Sequence, residues 1–284
     1  MRLKEGRRIK SEIPMNQLTP FLMPERNGAS NSFSTAINIE NCEDLIAQLR
    51  KEGYKGISIM HILMAAYVRV VSQLPGVNRF IRGQRVYSRN SIEICITIKK
   101  ELLLNAPETV IKLKLGPTDT IYTIYDQLSK EIEKNKQEGD NNGTDIAARI
   151  LVSFPGVFLK FIVWCFKTLD YFGLLPRAII KVSPFHGSLF ITNLGSLGIP
   201  PVCHHLYNFG NIPMFIAMGA KRRKRDLNVD GEVIEKRMMD ITVVCDERIC
   251  DGHYYASAFK RLKKLLENPE QLLTPPEKVV EDID

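Results

Sequence analysis

The chain has 284 residues, of which 44% are hydrophobic and 25% are charged. This is enough for a large core in one large domain or two small ones, and it excludes extensive disorder. The net charge of +7 favours anionic partners, but no helix-turn-helix, zinc-finger or other nucleic-acid signature accompanies it. We therefore predict no nucleic-acid partner.

The six cysteines form no CxxC pair and no Cys/His cluster with zinc spacing, so the sequence predicts no metal site. Most of them lie in apolar stretches, such as Ile94-Cys95-Ile96, which is typical of reduced and buried cysteines. The N-terminus has no apolar segment of the kind found in signal peptides. These features together predict a cytoplasmic protein.

The first half of the chain alternates between strand and helix patterns. Residues 1–30 are polar, contain three prolines and are predicted to form an extended arm. Residues 33–39 alternate as a strand does, and a helix follows from about residue 43 to Gly53. The other predicted elements are a helix over 58–74, strands at 86–87, 92–98 and 110–115, a helix starting at Asp119 and a loop over 138–143.

The most apolar stretch is 154–166, which contains Phe158, Phe161 and Trp164. It is shorter than the roughly 20 residues that a membrane span needs. Two interpretations remain open for it. It is a buried helix, or it is an interface or membrane-surface helix, with peripheral membrane contact through residues 154–176.

The last hundred residues predict a strand-rich region. Strands are expected over 188–193, 212–220 and 239–245, with an Asp230-Gly231 turn supplying positive φ angles before the last of them. A final helix starts near Asp251 and ends before Pro269. The basic run 221–225 is either a solvated loop between two strands or an anchor for a phosphate-bearing ligand such as coenzyme A. The irregular order of elements predicts a mixed α/β fold and not a regular parallel repeat.

Several short patterns occur in order near the C-terminus: Phe190-Ile-Thr192-Asn193-Leu-Gly195, Ile216-Ala-Met-Gly219, Val229-Asp-Gly-Glu232 and Asp246-Glu247-Arg248-Ile-Cys-Asp251-Gly252. This series resembles the catalytic domain of the acyltransferase component of 2-oxo-acid dehydrogenase complexes, a family related to chloramphenicol acetyltransferase. Residues 74–78, Leu-Pro-Gly-Val-Asn, resemble the N-terminal half of that domain.

The resemblance implies a fold and an assembly. The fold class is α/β, a chloramphenicol acetyltransferase-like two-layer α+β sandwich in which a mixed sheet has helices on one face. The acyltransferase-like domain spans 31–275, after the 1–30 arm and before a C-terminal tail at 276–284. The implied assembly is a homotrimer with active sites in channels between subunits, which acyl-CoA and the acceptor enter from opposite ends. No lipoyl domain is expected before residue 33, so dihydrolipoamide is not the expected acceptor.

The resemblance also implies roles for particular residues. The family pattern is Asp-His-Arg-x-x-Asp-Gly, and Glu247 stands at the position of its catalytic histidine. Arg248 and Asp251 match the residues that brace the turn, and Thr192 matches the hydroxyl that donates to the oxyanion. Coenzyme A, used as acyl-CoA, is expected near Asn193, Gly195, Lys221 and Arg222.

Replacing the histidine by Glu247 changes the energetics of proton removal. The pKa of a histidine is some 2 units below that of a thiol, so proton transfer from the thiol to the histidine is uphill by roughly 3 kcal/mol. The pKa of a solvated glutamate is some 4 units below that of the thiol, so the same transfer is uphill by roughly 6 kcal/mol. Glu247 acts as the base only if burial raises its pKa. Otherwise a histidine serves, with His205 preferred over three other candidates, His186, His204 and His253.

The expected function is therefore transfer of an acyl group from acyl-CoA to a small-molecule acceptor. The alternative is a catalytically inactive homologue that acts as a trimeric binding or scaffold protein.

Overall fold

The computed structural model describes residues 5–99, 108–137 and 152–284; the loop predicted over 138–143 lies outside them. The strands are β1 (Gly6–Arg8), β2 (Ser30–Asn38), β3 (Arg79–Arg82), β4 (Arg85–Arg89), β5 (Ile92–Lys99), β6 (Glu108–Leu115), β7 (Leu189–Asn193), β8 (Met214–Leu227) and β9 (Val233–Asp246). The helices are α1 (Pro14–Leu22), α2 (Glu40–Lys51), α3 (Ile59–Gln73), α4 (Ile121–Gln137), α5 (Gly156–Tyr171), α6 (Arg177–Val182) and α7 (Gly252–Glu267).

Six strands form the main sheet in the order β2-β9-β8-β7-β5-β6. Strand β7 runs parallel to both of its neighbours, β5 and β8, whereas the other pairs are antiparallel. The sheet is therefore mixed, as predicted. A separate three-stranded sheet contains β1, β4 and β3 in that order.

One face of the main sheet packs against helices. Along β9 the side chains of Met239, Ile241, Val243 and Cys245 are buried in the main core, because alternate residues of a strand point to the same face. Helices α2, α3, α4 and α7 contribute their apolar side chains to the same core. The predicted two-layer α/β sandwich with helices on one face is confirmed.

The opposite face of the sheet carries a smaller apolar cluster. Phe190, Phe215 and Val244 alternate with the core residues of β7, β8 and β9, and they pack with Leu206. Thr192 shares the strand parity of Phe190 and therefore belongs to this second face. The segment between β7 and β8, which contains Leu206, packs against this face.

Described residues near both ends of the chain contact the small sheet. Arg79 in β3 binds Asp282 through two hydrogen bonds of 2.8 and 2.7 Å, and it also forms an ion pair with Glu12. Burial raises the pKa of Glu12, although the charge of Arg79 opposes that shift. Residues near both ends of the chain therefore meet at one buried arginine.

Three predictions about individual segments were wrong. The 1–30 arm is not simply extended: it contains β1 and α1, and Pro14 stands in the first turn of α1, where proline has no helical hydrogen bond to lose. The basic run at 221–225 is not a loop, because β8 continues through it to Leu227. In the β8–β9 turn only Gly231 has a positive φ, +80°, so Asp230 does not share that conformation.

The buried-helix interpretation of the apolar stretch was also wrong. Only Asp170 of α5 is buried, and the side chains of Phe158, Phe161 and Trp164 are about 60% exposed. Among the described residues, no helix combines the length and apolar character needed to cross a membrane.

Candidate functional site

The turn that follows β9 is built around a buried ion pair. Arg248 donates two hydrogen bonds of 2.7 Å to the carboxylate of Asp246, and both side chains are almost completely buried. The same guanidinium donates to the carbonyl oxygens of Met23 and Pro24, each at 3.0 Å. The turn is thus held both internally and by the chain that precedes β2.

A second arginine lies beside this pair. Arg26 Nε is 3.5 Å from Asp246 Oδ2, and its guanidinium also donates to the carbonyl oxygens of Tyr207 and Gly210. Burial lowers the pKa of Arg26 to about 10, and the carboxylate of Asp246 opposes that shift. Arg26 therefore connects the turn after β9 with the segment that contains His205.

Glu247 lies between Asp246 and Arg248 but points away from them. Its side chain is exposed, and its backbone N–H donates to the carbonyl oxygen of Ala29 at 3.0 Å. Asn31 Nδ2 donates to Glu247 Oε2 at 2.9 Å. The buried pair thus presents one carboxylate at the surface, in a fixed position next to β2.

Asp251 caps the N-terminus of α7. Its side chain accepts a hydrogen bond of 2.8 Å from the backbone N–H of Tyr254, and α7 begins at the next residue, Gly252. The two residues expected to brace the turn therefore make separate contacts. Arg248 holds the turn, and Asp251 caps the helix that follows it.

Thr192 lies near the end of β7, where it is partly buried and pairs with Ala217 of β8. Asn193 Oδ1 then accepts a hydrogen bond of 3.1 Å from the backbone N–H of Gly195. A Cβ on Gly195 would lie 2.5 Å from the carbonyl oxygen of Gly219, so only glycine permits this close approach to β8. Asn193 and Gly195 therefore have a structural role in the turn after β7.

Thr192 and Glu247 are far apart within one chain. Thr192 pairs with Ala217, Ala217 pairs with Thr242, and Glu247 follows Thr242 by five residues. Two strand spacings and five residue steps correspond to roughly 20 Å. One chain does not bring the two side chains together.

Lys221 and Arg222, the basic residues expected near coenzyme A, have carboxylate partners in the chain. Lys221 Nζ lies 2.6 Å from Glu43 Oε1, and Arg222 binds both carboxylate oxygens of Asp240 at 2.8 and 2.9 Å. About half of each basic side chain remains exposed. An anionic ligand would have to share these cations with Glu43 and Asp240.

One of the candidate histidines is enclosed in the protein. His186 has no exposed surface; its Nδ1 is 2.8 Å from Ser183 Oγ and its Nε2 is 3.2 Å from Asp170 Oδ1. Burial lowers the pKa of His186, although Asp170 opposes the shift. The pKa of Asp170 is lowered because His186, Arg82 and Arg26 outweigh its burial. A channel ligand would not reach His186 without an opening of this cluster.

The other three histidines are accessible. His204 stacks on Phe215 with 4.1 Å between ring centroids, and its Nδ1 lies 2.8 Å from the carbonyl oxygen of His205. His205 is exposed, as is His253 in the first turn of α7. His205 differs from His253 in that it lines a small cavity with Arg26, Phe190 and Phe215.

That cavity is narrow. Its volume of about 10 Å³ is room for about one water molecule, and its walls are mainly aromatic. A thioester and its acceptor would therefore not fit inside it. The described part of the chain also holds no cluster of three His, Cys, Asp or Glu side chains arranged to bind a metal ion.

Cys250 lies in the turn but is buried, and burial raises the pKa of its thiol. This disfavours the thiolate that a nucleophile requires. Four cysteines are buried as predicted, whereas Cys203 is exposed and Cys165 is partly exposed.

Two residues of this region were missed by sequence reasoning. Arg26 stands in a proline-interrupted polar segment, where a single arginine gives no signal of burial. Asn31 lies in β2, and its role depends on the antiparallel pairing that places it opposite Cys245. Neither contact follows a local spacing, so only the three-dimensional structure identifies them.

Comparison with known proteins bears on the family resemblance and on the fold. Residues 179–274 match the sequence profile of the 2-oxoacid dehydrogenases acyltransferase catalytic domain. No curated protein sequence is significantly similar to the chain. The similarity to solved structures is therefore the main further comparison.

A probable dihydrolipoamide acetyltransferase from Listeria monocytogenes has a TM-score of 0.57 and 13% identity, over 91% of this chain and 95% of that one. The dihydrolipoamide acetyltransferase of Azotobacter vinelandii has a TM-score of 0.56 and 13% identity, over 93% of this chain and 94% of that one. A chloramphenicol acetyltransferase has a TM-score of 0.52 and 13% identity, over 92% of this chain and 99% of that one. The chain thus resembles the catalytic domain of the 2-oxo-acid dehydrogenase acyltransferases, whose sequence pattern it carries over 179–274, and it has the fold that they share with chloramphenicol acetyltransferase.

Proposed function

We propose that the protein transfers an acyl group from acyl-CoA to a small-molecule acceptor, as a homotrimer with its active sites between subunits. The observation that carries this proposal is the turn after β9. The buried Arg248–Asp246 pair holds Glu247 outward at the position of the family's catalytic histidine. The protein is proposed to act in the cytoplasm, where acyl-CoA is available.

The separation of Thr192 and Glu247 supports a site shared between two copies. Roughly 20 Å is too far for both groups to act on one reacting carbon within a chain. In a closed ring, each chain can present Thr192 to one neighbour and Glu247 to the other, because the contact is head-to-tail. A site of this kind would be absent from an isolated chain.

The proposed reaction consists of two steps. The acceptor's hydroxyl or thiol attacks the thioester carbonyl and loses its proton to the base, while the Thr192 hydroxyl donates to the oxyanion. The tetrahedral intermediate then breaks its carbon–sulfur bond, and the coenzyme A thiolate takes the proton back from the base. The acyl group ends on the acceptor, and no oxidant or reductant is consumed.

Glu247 is the proposed base, and His205 is the second candidate. Asn31 donates to Oε2 of Glu247, which leaves Oε1 to accept a proton from the acceptor. Glu247 is exposed in the single chain, so the burial that would make it an effective base has to come from the second copy. His205 is also exposed, and an imidazole would need no such burial to act as a base.

Coenzyme A is proposed to bind near the turn after β7 and the basic part of β8. Lys221 is the better phosphate contact of the two basic residues, because a single 2.6 Å contact with Glu43 is easier to exchange than the two-point contact of Arg222 with Asp240. Asn193 and Gly195 would shape the turn on which the ligand rests.

A non-catalytic trimeric scaffold is the second candidate function. It is favoured by the exposed carboxylate at the histidine position and by the small size of the cavity that His205 lines, which has room for about one water molecule. Arg248 and Asp251 keep their structural contacts under either candidate, so their presence does not distinguish the two.

The test measures thioester cleavage of several acyl-CoAs between pH 5 and 9, together with the molar mass from light scattering. Glu247→Gln, His205→Ala and Thr192→Val are compared with Glu133→Gln, which changes an exposed glutamate on α4. Cleavage that is lost in Thr192→Val and in one base variant, with a trimeric mass retained, supports the enzyme. A trimer that cleaves no acyl-CoA supports the scaffold, and a monomer contradicts both.

A further inference from the structure

Helix α5 exposes a continuous set of large apolar side chains. Val157, Phe158, Phe161 and Trp164 have exposed fractions of 81%, 61%, 60% and 60%. Val157, Phe161 and Trp164 follow the spacing of one helix face, and Phe158 flanks them. We call these four side chains the aromatic face of α5. In the described chain, no residue of α5 belongs to the main core.

The helix is nevertheless firmly attached at its C-terminal end. Asp170 forms a hydrogen bond of 2.9 Å with Arg82 and lies 3.2 Å from His186, and all three side chains are buried or nearly so. Tyr171 donates to Gln84 Oε1 at 2.9 Å, and Leu175 is buried. The aromatic face is therefore exposed although the helix is packed against the rest of the protein at its C-terminal end.

The exposed charges of the segment 152–187 have one sign. The cations of this part of the chain are Lys160, Lys167, Arg177 and Lys181, and all four are exposed. Between residues 152 and 187 the single acidic residue is Asp170, whose carboxylate is already paired with Arg82. The exposed part of the segment is thus apolar and positively charged.

We propose that the aromatic face of α5 attaches the protein peripherally to an anionic lipid bilayer. Bulky aromatic side chains settle at the boundary between headgroups and acyl chains, and flanking lysines and arginines are attracted to acidic headgroups. Helix α5 has 16 residues and rises roughly 24 Å, less than the roughly 30 Å of the hydrocarbon core. It therefore lies along the surface of the bilayer.

The charges argue for a bilayer and against a second copy of the same face. A two-fold contact places the same patch on both partners, so it would bring Lys160, Lys167, Arg177 and Lys181 against their own equivalents. No exposed carboxylate between residues 152 and 187 is available to neutralise them. Acidic headgroups supply the opposite charge, and the acyl chains accept the aromatic rings.

A second apolar helix is linked to the same region. Gln84, which accepts from Tyr171, precedes Arg85, and the guanidinium of Arg85 lies 4.8 Å from the ring centroid of Phe21 in α1. The side chains of Leu18, Phe21 and Leu22 are exposed as well. The turn between β3 and β4 therefore connects α5 with a neighbouring apolar surface and contributes one more exposed cation.

The test uses Trp164, the one tryptophan of the chain, as its reporter. The full-length protein is titrated with phosphatidylcholine vesicles and with vesicles that also contain phosphatidylserine. We expect a blue shift of the Trp164 emission and quenching by brominated lipids with the acidic vesicles, together with co-sedimentation that falls as salt rises. The attachment does not depend on acyl transfer, so a catalytically inactive protein is expected to bind equally well.

Two variants and a matched control separate the apolar and charged contributions. Phe161→Ser and the double variant Lys160→Glu/Lys167→Glu are each expected to weaken vesicle binding roughly tenfold or more. Arg223→Glu/Arg225→Glu makes the same charge change on the exposed β8–β9 hairpin and is expected to retain most of the binding. All variants change exposed residues, and circular dichroism checks their folding.

Three outcomes would overturn the proposal. The first is an unchanged Trp164 spectrum with acidic vesicles. The second is Trp164 emission that is already blue-shifted without lipid and moves to longer wavelength in Phe161→Ser, with a smaller molar mass, because the face is then covered by another copy. The third is equal loss of binding in the hairpin control, because attraction is then due to net charge alone.

Discussion

Arg248 and Asp246 are two residues apart in the chain and form a buried, two-point ion pair, with both hydrogen bonds at 2.7 Å. Glu247, the residue between them, is exposed. The pair therefore closes a tight turn around a single outward carboxylate. This arrangement separates the structural part of the turn from the part that can meet a substrate.

Replacing Arg248 tests the structural part. Arg248→Met leaves the buried Asp246 carboxylate with the more distant Arg26, at 3.5 Å, and with the backbone N–H of residue 248, and we expect a loss of about 3 kcal/mol in the free energy of unfolding. Urea denaturation measures this loss. Arg223→Met, on the exposed hairpin, is expected to change stability by less than about 1 kcal/mol. Equal losses in the two variants would mean that the buried pair has no special role.

Replacing Glu247 by histidine tests the part that meets a substrate. If the site transfers acyl groups, Glu247→His supplies an imidazole base, and we expect the rate of acyl transfer to rise by roughly 10² or more. Glu25→His provides the control, since Glu25 is an exposed glutamate outside the turn. An unchanged or lower rate in Glu247→His, with the fold retained, would show that position 247 does not contact the transferred proton.

His61 makes stability depend on pH. Its Nδ1 is 3.2 Å from the backbone nitrogen of Ser58, and burial lowers the pKa of His61 to about 4. An unfolded histidine has a pKa of about 6.5. The unfolded chain therefore binds the proton first, so this stabilisation is complete above about pH 6.5 and is lost as the pH falls toward 4.

The expected loss due to His61 is about 2 kcal/mol between pH 7.5 and pH 5. His61→Gln keeps an acceptor for Ser58 but does not titrate, so its pH dependence is expected to be shallower by that amount. Urea midpoints at the two pH values measure the difference. His253→Gln, at an exposed position, is the control and is expected to follow the wild type.

Gly219 is required by close packing. A Cβ at this position would lie 2.4 Å from Pro201 Cδ and 2.8 Å from Pro201 N. We expect Gly219→Ala to lower the free energy of unfolding by about 1–3 kcal/mol and to shift the turn after β7. Thermal denaturation checks this expectation. Gly156→Ala, where an added Cβ meets nothing within 4 Å, should leave stability unchanged or slightly higher.

The fold could be predicted from sequence wherever the local pattern and the tertiary environment agree. The alternation in β5 and the apolar spacing of α3 both correspond to burial against the same core. The patterns from Phe190 to Gly252 also identified the family resemblance, because several of them occur in the expected order. In these segments, each local preference supports the same global structure.

Sequence reasoning failed where the environment is not encoded locally. Helix α5 is as apolar as a buried helix, yet its position beyond the core leaves Phe161 and Trp164 exposed. A solvated loop was one of two interpretations of the basic run 221–225, because runs of charged residues usually face solvent. The structure instead continues β8 through this run, where Arg222 is paired with Asp240. The contacts of Arg26 join residues about 180 positions apart and have no local signature.

The roughly 20 Å between Thr192 and Glu247 has a consequence for mixtures of variants. If each site draws one group from either chain, Thr192→Val and Glu247→Gln damage different halves of it. Co-refolded in equal amounts, two inactive proteins would then regain roughly one quarter of the wild-type sites, because some contacts unite the two undamaged halves. Such complementation would make catalysis a property of the boundary between chains and not of any single polypeptide.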